Sequence, residues 1–274
     1  MTNNFWQVKK NQLNLDKGLI YGVLNLSPES FFDGDKVTNQ QEIINKAKLM
    51  VAAGADVIEV GGQSTKPGFE EITVKEEIKR VTPIIEMLKK TTDLPIAIDT
   101  YKLPVMQKAI ELDIDIINDI NGFEIEDKQK LITEWDGGLV SMFNSRGKRI
   151  YDILFALNEF FEKQIADFQY FGIDTNRLVI DPGVGFVDSR DGLQDMEVIQ
   201  NISKLLILDQ PIMAAVDDKG WIKSLLGLEV DKRRIPTLIA QSFMFQHGAK
   251  IIRTHDVLAT KQMLATLEGL NNES

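Results

Sequence analysis

Seven polar residues, far apart in the chain, share one kind of setting. Each follows a short run of apolar, mostly β-branched residues: Asn25 after Ile20–Leu24, Asp99 after Ile96–Ile98, Asn118 after Ile114–Ile117, Asp181 after Leu178–Ile180, Lys219 after Pro211–Val216, and Arg253 with His255 after Ile251–Ile252. Carboxylates and amides offer acceptors and donors that are costly to bury without partners. An arginine fork matches phosphate oxygens. Two residues apart on one strand, Arg253 and His255 are expected to face the same side. A single surface carrying acids, amides and cations is what a polar, anionic small molecule requires.

The elements that position these groups can be read from the same runs. Short apolar runs closed by turn residues read as buried strands, and Asp181-Pro182-Gly183-Val184-Gly185-Phe186 ends one of them in a glycine turn. Strands are expected at about 19–25, 57–60, 96–99, 114–119, 139–143, 178–181, 211–216 and 250–254. Helices follow at about 41–53, from Thr73 (with Glu76 as a capping box) to about 90 with Pro83 inside it, from Pro104, over 151–171, and at the end to about 270. Strands alternating with helices imply parallel βαβ units, and eight of them imply an α/β fold, a closed (β/α)8 TIM barrel with its active face at the carboxyl ends of the strands. No linker breaks the alternation, so one domain is expected over 1–274, with the barrel at about 19–270. The loop from Asn25 to Asp35 carries the adjacent aromatics Phe31 and Phe32 and the acid Asp33, and is expected to serve the site.

Composition narrows the partners. The chain has 274 residues, 43% of them hydrophobic, and a formal charge of −10, which argues against nucleic acid or an anionic membrane as partner. It has no cysteine and only 2 histidines, so thiolate chemistry and a multi-histidine metal site are excluded. No membrane-length apolar run and no signal-like N-terminus is present. A cytoplasmic protein is the plain reading.

The motifs resemble those of the dihydropteroate synthase family over roughly residues 19–267. The resemblance rests on Gly22-Val23-Leu24-Asn25 with Ser27-Pro28-Glu29-Ser30-Phe31, on Gly61-Gly62-Gln63-Ser64-Thr65-Lys66-Pro67-Gly68, and on Ile98-Asp99-Thr100. Ile117-Asn118-Asp119, Asp181-Pro182-Gly183-Val184-Gly185-Phe186 and Arg253-Thr254-His255-Asp256 follow in family order. It implies condensation of 6-hydroxymethyl-7,8-dihydropterin pyrophosphate with p-aminobenzoate in folate biosynthesis. It assigns pterin binding to Asp99, Asn118, Asp181 and Lys219, and pyrophosphate binding to Asn25, Ser64, Thr65, Arg253 and His255. Asn25 would be the protein ligand of a Mg²⁺ ion. Phe31, Lys66, Phe186 and Gly220 would line the second-substrate side. The implied chemistry is dissociative, with Asp33, Asp99 and Asp181 as anions near a pterin cation and Lys219 beside them, and the implied assembly is a homodimer. The Phe243-Met244-Phe245 run is compatible with an interface, though such a run is more often core. A corrinoid-partnered, pterin-binding methyltransferase shares the barrel, but the first loop and the Arg253/His255 pair fit a pyrophosphate substrate better.

Departures from the family pattern cluster on one side. Asp217-Asp218-Lys219-Gly220 stands where the family has Ser-Arg-Lys-Ser, and Val187-Asp188 where it has Gly-Lys. Lys66 replaces an arginine, Gln63 a glutamate, Glu59 a strand-two aspartate and Asn144 a histidine. If Asp217 and Asp218 face the amine half-site, their charge disfavours the carboxylate of p-aminobenzoate, and a protein that holds the pterin without condensing it, or uses another amine, is the alternative. Either acid could instead point away into an ion pair or cap.

Overall fold

The computed structural model describes residues 4–24, 36–63, 70–145, 148–186, 192–217 and 219–271. Asn25, Phe31, Asp33, Ser64, Thr65, Lys66, Asp188 and Asp218 lie outside the described residues.

Eight parallel strands close into a barrel in the order β10-β3-β4-β5-β6-β7-β8-β9. They are β3 (Leu19–Val23), β4 (Val57–Gly61), β5 (Ile96–Asp99), β6 (Ile116–Asp119), β7 (Gly138–Met142), β8 (Leu178–Asp181), β9 (Ile212–Ala214) and β10 (Ala249–Thr254). The helices between and after them are α1 (Lys36–Ala53), α2 (Val74–Thr91), α3 (Leu103–Glu111), α4 (Glu126–Thr133), α5 (Ile153–Tyr170), α6 (Leu193–Gln200), α7 (Gly220–Leu226), α8 (Arg234–Gln246) and α9 (Val257–Asn271). This is the (β/α)8 arrangement expected. Bounds differ at the edges: β9 is only 3 residues long, and α1 begins at Lys36. Thr73 caps α2 by accepting from the Glu76 N–H at 3.2 Å. The Glu76 carboxylate is held by Arg80 at 2.9 Å, so the cap is the threonine half of a capping box.

Two apolar layers hold the barrel. The larger one packs the outer faces of the strands against the helices, with Ile58, Ile98, Ile117, Ile180 and Ile252 all 0% exposed. The smaller one fills the barrel and includes Val57, Ala97, Ile116, Val179 and Ile251. Strand residues two apart point to the same face. Glu59, Asp99, Asn118, Asp181 and Arg253 each stand two residues beyond one of these interior apolar groups. All five therefore project into the barrel at its carboxyl end, and the alternation that builds the core also places the polar layer above it.

A feature absent from the sequence reading closes the opposite end. β1 (Phe5–Val8) and β2 (Asn11–Asn14) form an antiparallel hairpin whose Trp6 and Val8 join the interior layer. The Trp6 indole donates to the Arg177 carbonyl at 2.7 Å. Gly138, at the start of β7, leaves the space this ring occupies, since a Cβ there would lie 2.9 Å from both Trp6 and Val8. Alternation of apolar and polar residues from Trp6 to Val8 is the local sign of this strand. In α8, Met244 is 0% exposed, and Phe243 and Phe245 pack against the core; this run is core rather than surface.

Candidate active site

The polar layer is joined by one carboxylate. Glu59, 1% exposed, accepts through Oε1 from Arg253 Nε at 2.9 Å and also from Arg253 Nη2. Through Oε2 it accepts from Asn118 Nδ2 at 2.9 Å. Arg253 Nη2 reaches Asp99 Oδ2 at 3.2 Å. β4, β5, β6 and β10 thus meet at a single buried network. A buried ion pair of this kind holds only while every partner is present, because a lone buried charge is expensive.

Two acceptors of this network have no hydrogen-bond partner among the described residues: Asp99 Oδ1 and Asn118 Oδ1, both inaccessible to solvent. Burial and the adjacent Glu59 push the Asp99 carboxyl up to about 7, against the pull of Arg253. Burial likewise raises the carboxyl of Asp181, whose Oδ1 accepts from the Gly183 N–H at 2.8 Å. Gly183 is required there: its φ is +72°, and a Cβ would lie 1.9 Å from the Phe143 carbonyl oxygen. The next glycine of the motif, Gly185, clears room for Lys219, whose Cδ would lie 2.7 Å from a Cβ at that position. Lys219 Nζ sits 4.5 Å from the centre of the Phe186 ring. Burial and the nearby Arg253 lower its amine to about 8, with Asp181 and Asp195 opposing.

The structure thus brings together Asp99, Asn118, Asp181, Lys219 and Arg253 from the expected set, with Phe186 against Lys219. Gly220 opens α7, and a Cβ there would meet nothing within 4 Å. One expectation about side-chain direction changes, that for His255, and of the two directions open to Asp217 the structure takes the one away into a cap. His255 lies beyond the end of β10 and takes different partners from Arg253, because the two-residue alternation holds only inside the strand. Asp217 turns toward that same strand end: its Oδ2 accepts from the His255 N–H at 2.6 Å, the His255 ring Nδ1 at 3.0 Å and Thr254 Oγ1 at 3.1 Å. The Asp217 carboxylate therefore caps the turn after β10. Asp119 is structural, since it binds Lys128 Nζ at 2.6 Å and the Phe123 N–H at 3.0 Å.

Other contributors lie beyond local pattern. Glu59 reads in the sequence only as a departure in an apolar strand, although its place two residues after Val57 marks it as interior. Asp195, 3% exposed, accepts from the Gly185 N–H at 2.7 Å and steadies the glycine turn from α6; nothing near it in sequence signals this. On the rim, Lys102 Nζ lies 3.0 Å from both Glu77 Oε2 and Gln63 Oε1, and Gln63 Oε1 also accepts from the Ile72 N–H at 2.8 Å. The two ends of the segment between Gln63 and Ile72 are thereby tied together. A surface groove lined by Ile44, Pro83 and Met87 runs between α1 and α2, on the outside of the barrel.

The family model for pterin binding enzymes matches residues 21–255. The chain belongs to the dihydropteroate synthase family. It is 31% identical to the dihydropteroate synthase of Streptococcus pyogenes over 92% of this chain and 95% of that one. It is 32% identical to that of Clostridium beijerinckii over 89% and 90%. Among solved structures, the dihydropteroate synthase of Xanthomonas albilineans with 4-aminobenzoic acid superposes with a TM-score of 0.90 at 28% identity, covering 98% of this chain and all of that one. The same enzyme in complex with 7,8-dihydropteroate gives 0.86 at 28% identity, over 97% and 98% of the two chains. The family is one of transferases, and the layer of strand-end polar groups described above falls inside its matched region.

Proposed function

We propose that this family member condenses 6-hydroxymethyl-7,8-dihydropterin pyrophosphate with p-aminobenzoate, using the buried polar layer as the pterin subsite. The observation that carries the reading is the pair of unpartnered buried acceptors, Asp99 Oδ1 and Asn118 Oδ1. Buried polar groups are normally satisfied, so a ligand with matching donors is the natural complement, and a pterin edge supplies them. Asp181 adds a third acceptor and Lys219 a donor.

In this reading the pterin methylene carbon loses its bond to oxygen first, and the electron pair leaves with pyrophosphate. The carboxylates of Asp99 and Asp181, with Asp33 from the first loop, oppose the cation left on the pterin. The arylamine nitrogen then forms the new C–N bond and gives up a proton. Arg253, His255, Asn25, Ser64 and Thr65 are the groups proposed for the pyrophosphate; Phe31, Lys66, Phe186 and Gly220 flank the amine. Among the described residues no group of three or more acidic, histidine or cysteine side chains could hold a metal. Asn25 would be the protein ligand of a Mg²⁺ ion, a single hard-oxygen donor of the kind Mg²⁺ accepts. Asn25 follows Leu24, whose N–H is anchored on the Glu59 carbonyl at 2.9 Å. Such an ion would supply charge neutralisation for the departing pyrophosphate.

The direction of Asp217 favours condensation over mere pterin holding, since this carboxylate leaves the amine half-site uncharged at position 217. The whole chain is proposed to act as one domain in the cytoplasm; no helix among the described residues is long and apolar enough to cross a membrane. A homodimer is proposed through α8 and its neighbours, where Ile235 and Ile239 are 69% and 65% exposed. Release of pyrophosphate from the pterin substrate, measured with and without p-aminobenzoate and Mg²⁺, tests the reading. Release that depends on both supports it, and none under any condition removes it.

A further inference from the structure

We infer that Glu59 is a positioning residue of the pterin subsite, one that fixes which atom of the Asn118 amide meets the ligand. The inference rests on the function proposed above and assigns the polarity of that subsite. An amide can present either its oxygen or its nitrogen, and the two ends are nearly identical in shape. An ionised carboxylate, however, can only accept. Glu59 Oε2 lies 2.9 Å from Asn118 Nδ2, so the amide must turn its nitrogen to Glu59 and its oxygen away. That oxygen is the one left buried and unpartnered.

The second contact of Glu59 pairs it with a cation. Arg253 Nε donates to Oε1 at 2.9 Å, and a guanidinium fork matches the geometry of a carboxylate, here one that is 1% exposed. Arg253 also reaches Asp99 Oδ2 at 3.2 Å. One oxygen of Asp99 is thereby occupied and the other, Oδ1, is left open. One carboxylate on β4 therefore sets three residues on three other strands: Asn118 on β6 and Arg253 on β10 directly, and Asp99 on β5 through Arg253. Asp99 and Asn118 are direct partners across adjacent strands, so the two residues with open oxygens are neighbours in the polar layer. The subsite selects a ligand edge with two neighbouring N–H donors and rejects one that presents an acceptor there.

Glu59→Gln keeps the shape and removes the constraint, because the new amide can accept or donate. We expect the Kd of an unphosphorylated dihydropterin and the KM of its pyrophosphate to rise about 10- to 100-fold, the loss typical of a buried hydrogen bond to a charged group. kcat and p-aminobenzoate affinity should change much less. Glu59→Asp should recover most of the pterin affinity, since a carboxylate again accepts from Asn118. A Glu59→Gln protein with wild-type pterin affinity, or a Glu59→Asp protein as weak as Glu59→Gln, overturns the inference. A second measurement does not need the ligand. In ¹⁵N-labelled protein, the Asn118 side-chain NH₂ (identified by its loss in Asn118→Asp) should give a strongly downfield proton that moves upfield in Glu59→Gln. An Asn118 NH₂ signal that is the same in both proteins overturns the inference even if wild-type protein binds no pterin, and that lack of binding would separately remove the proposed function.

Discussion

Asp217 accepts both the backbone N–H of His255 and its ring Nδ1, at 2.6 and 3.0 Å. A carboxylate on one side of a strand end thus holds the histidine on the other, where the family carries a serine. Burial by itself would raise the Asp217 carboxyl, but these donors and Thr254 outweigh it and the net effect is a lowering.

The first prediction follows from that sign. A carboxyl lowered in the folded state contributes stability that is present above the ordinary value of 3.8 and is lost as pH falls through the lower folded value. Asp217→Ser should cost about 1–2 kcal/mol at neutral pH, and the difference from wild type should vanish in strong acid. Urea unfolding at several pH values measures this. The KM for p-aminobenzoate should not improve; an improvement would mean that the carboxylate does reach the amine.

Lys219 sets stability against chemistry. An amine lowered to about 8 in the fold carries its burial penalty fully below pH 8, and the penalty fades between 8 and the ordinary 10.5 as the unfolded chain alone stays protonated. Lys219→Met should therefore be more stable than wild type at pH 7, by up to about 2–3 kcal/mol, with the gain shrinking above pH 8. Condensation should fall sharply in the same protein. A destabilised Lys219→Met would show that its contacts with Phe186 and the nearby acids exceed the desolvation cost.

The Asp99 carboxyl, raised to about 7, predicts an acid limb in kcat/KM. If the ionised form is the one that opposes the pterin cation, activity should rise with an apparent value near 7. Stability runs the other way. A raised carboxyl favours the folded state at low pH, so its contribution declines as pH climbs from 3.8 toward 7. Asp99→Asn should remove both the limb and this part of the stability profile, read from initial rates and from thermal unfolding.

Position 220 offers a test of the amine side. A Cβ at Gly220 meets nothing within 4 Å, so the family's serine fits without moving a neighbour. Gly220→Ser should leave thermal stability within about 0.5 kcal/mol and lower the KM for p-aminobenzoate. An unchanged KM would place Gly220 outside the second-substrate half-site.

Arg253 and His255 should separate in binding experiments. Arg253→Ala strips Glu59 and Asp99 of their cation, so it should weaken pterin with or without its pyrophosphate. His255→Ala should weaken only the pyrophosphorylated form. Isothermal titration with the two ligands compares them, and equal losses in His255→Ala would separate that residue from the phosphates.

The eight strands and their polar tips were legible because most strands are short apolar runs and most of the polar residues follow directly on them. Asp99, Asn118 and Asp181 could be found this way without any tertiary information. Glu59 and Asp195 could not, since their roles are defined by partners 59 and 10 residues away. Asp217 shows the same limit. Its charge was visible, but its direction was chosen by three donors at the end of β10. The N-terminal hairpin does not stand out because β2 carries a single apolar residue, Leu13, and the worth of β1 comes from where Trp6 docks.

That docking has a kinetic consequence. Trp6 bonds across 171 residues of chain to Arg177, and its seat is built from β7 and β8, which are synthesised much later. Contacts so distant in sequence form slowly, because the loop they close must be ordered first. The hairpin can find its place only when the far side of the barrel exists, so burial of its indole should be among the last events of folding. With Trp135 partly buried and Trp221 in α7, a chain keeping only Trp6 would carry a fluorescent clock for barrel closure. A slow phase seen at Trp6, after far-UV signal is complete, would time that step.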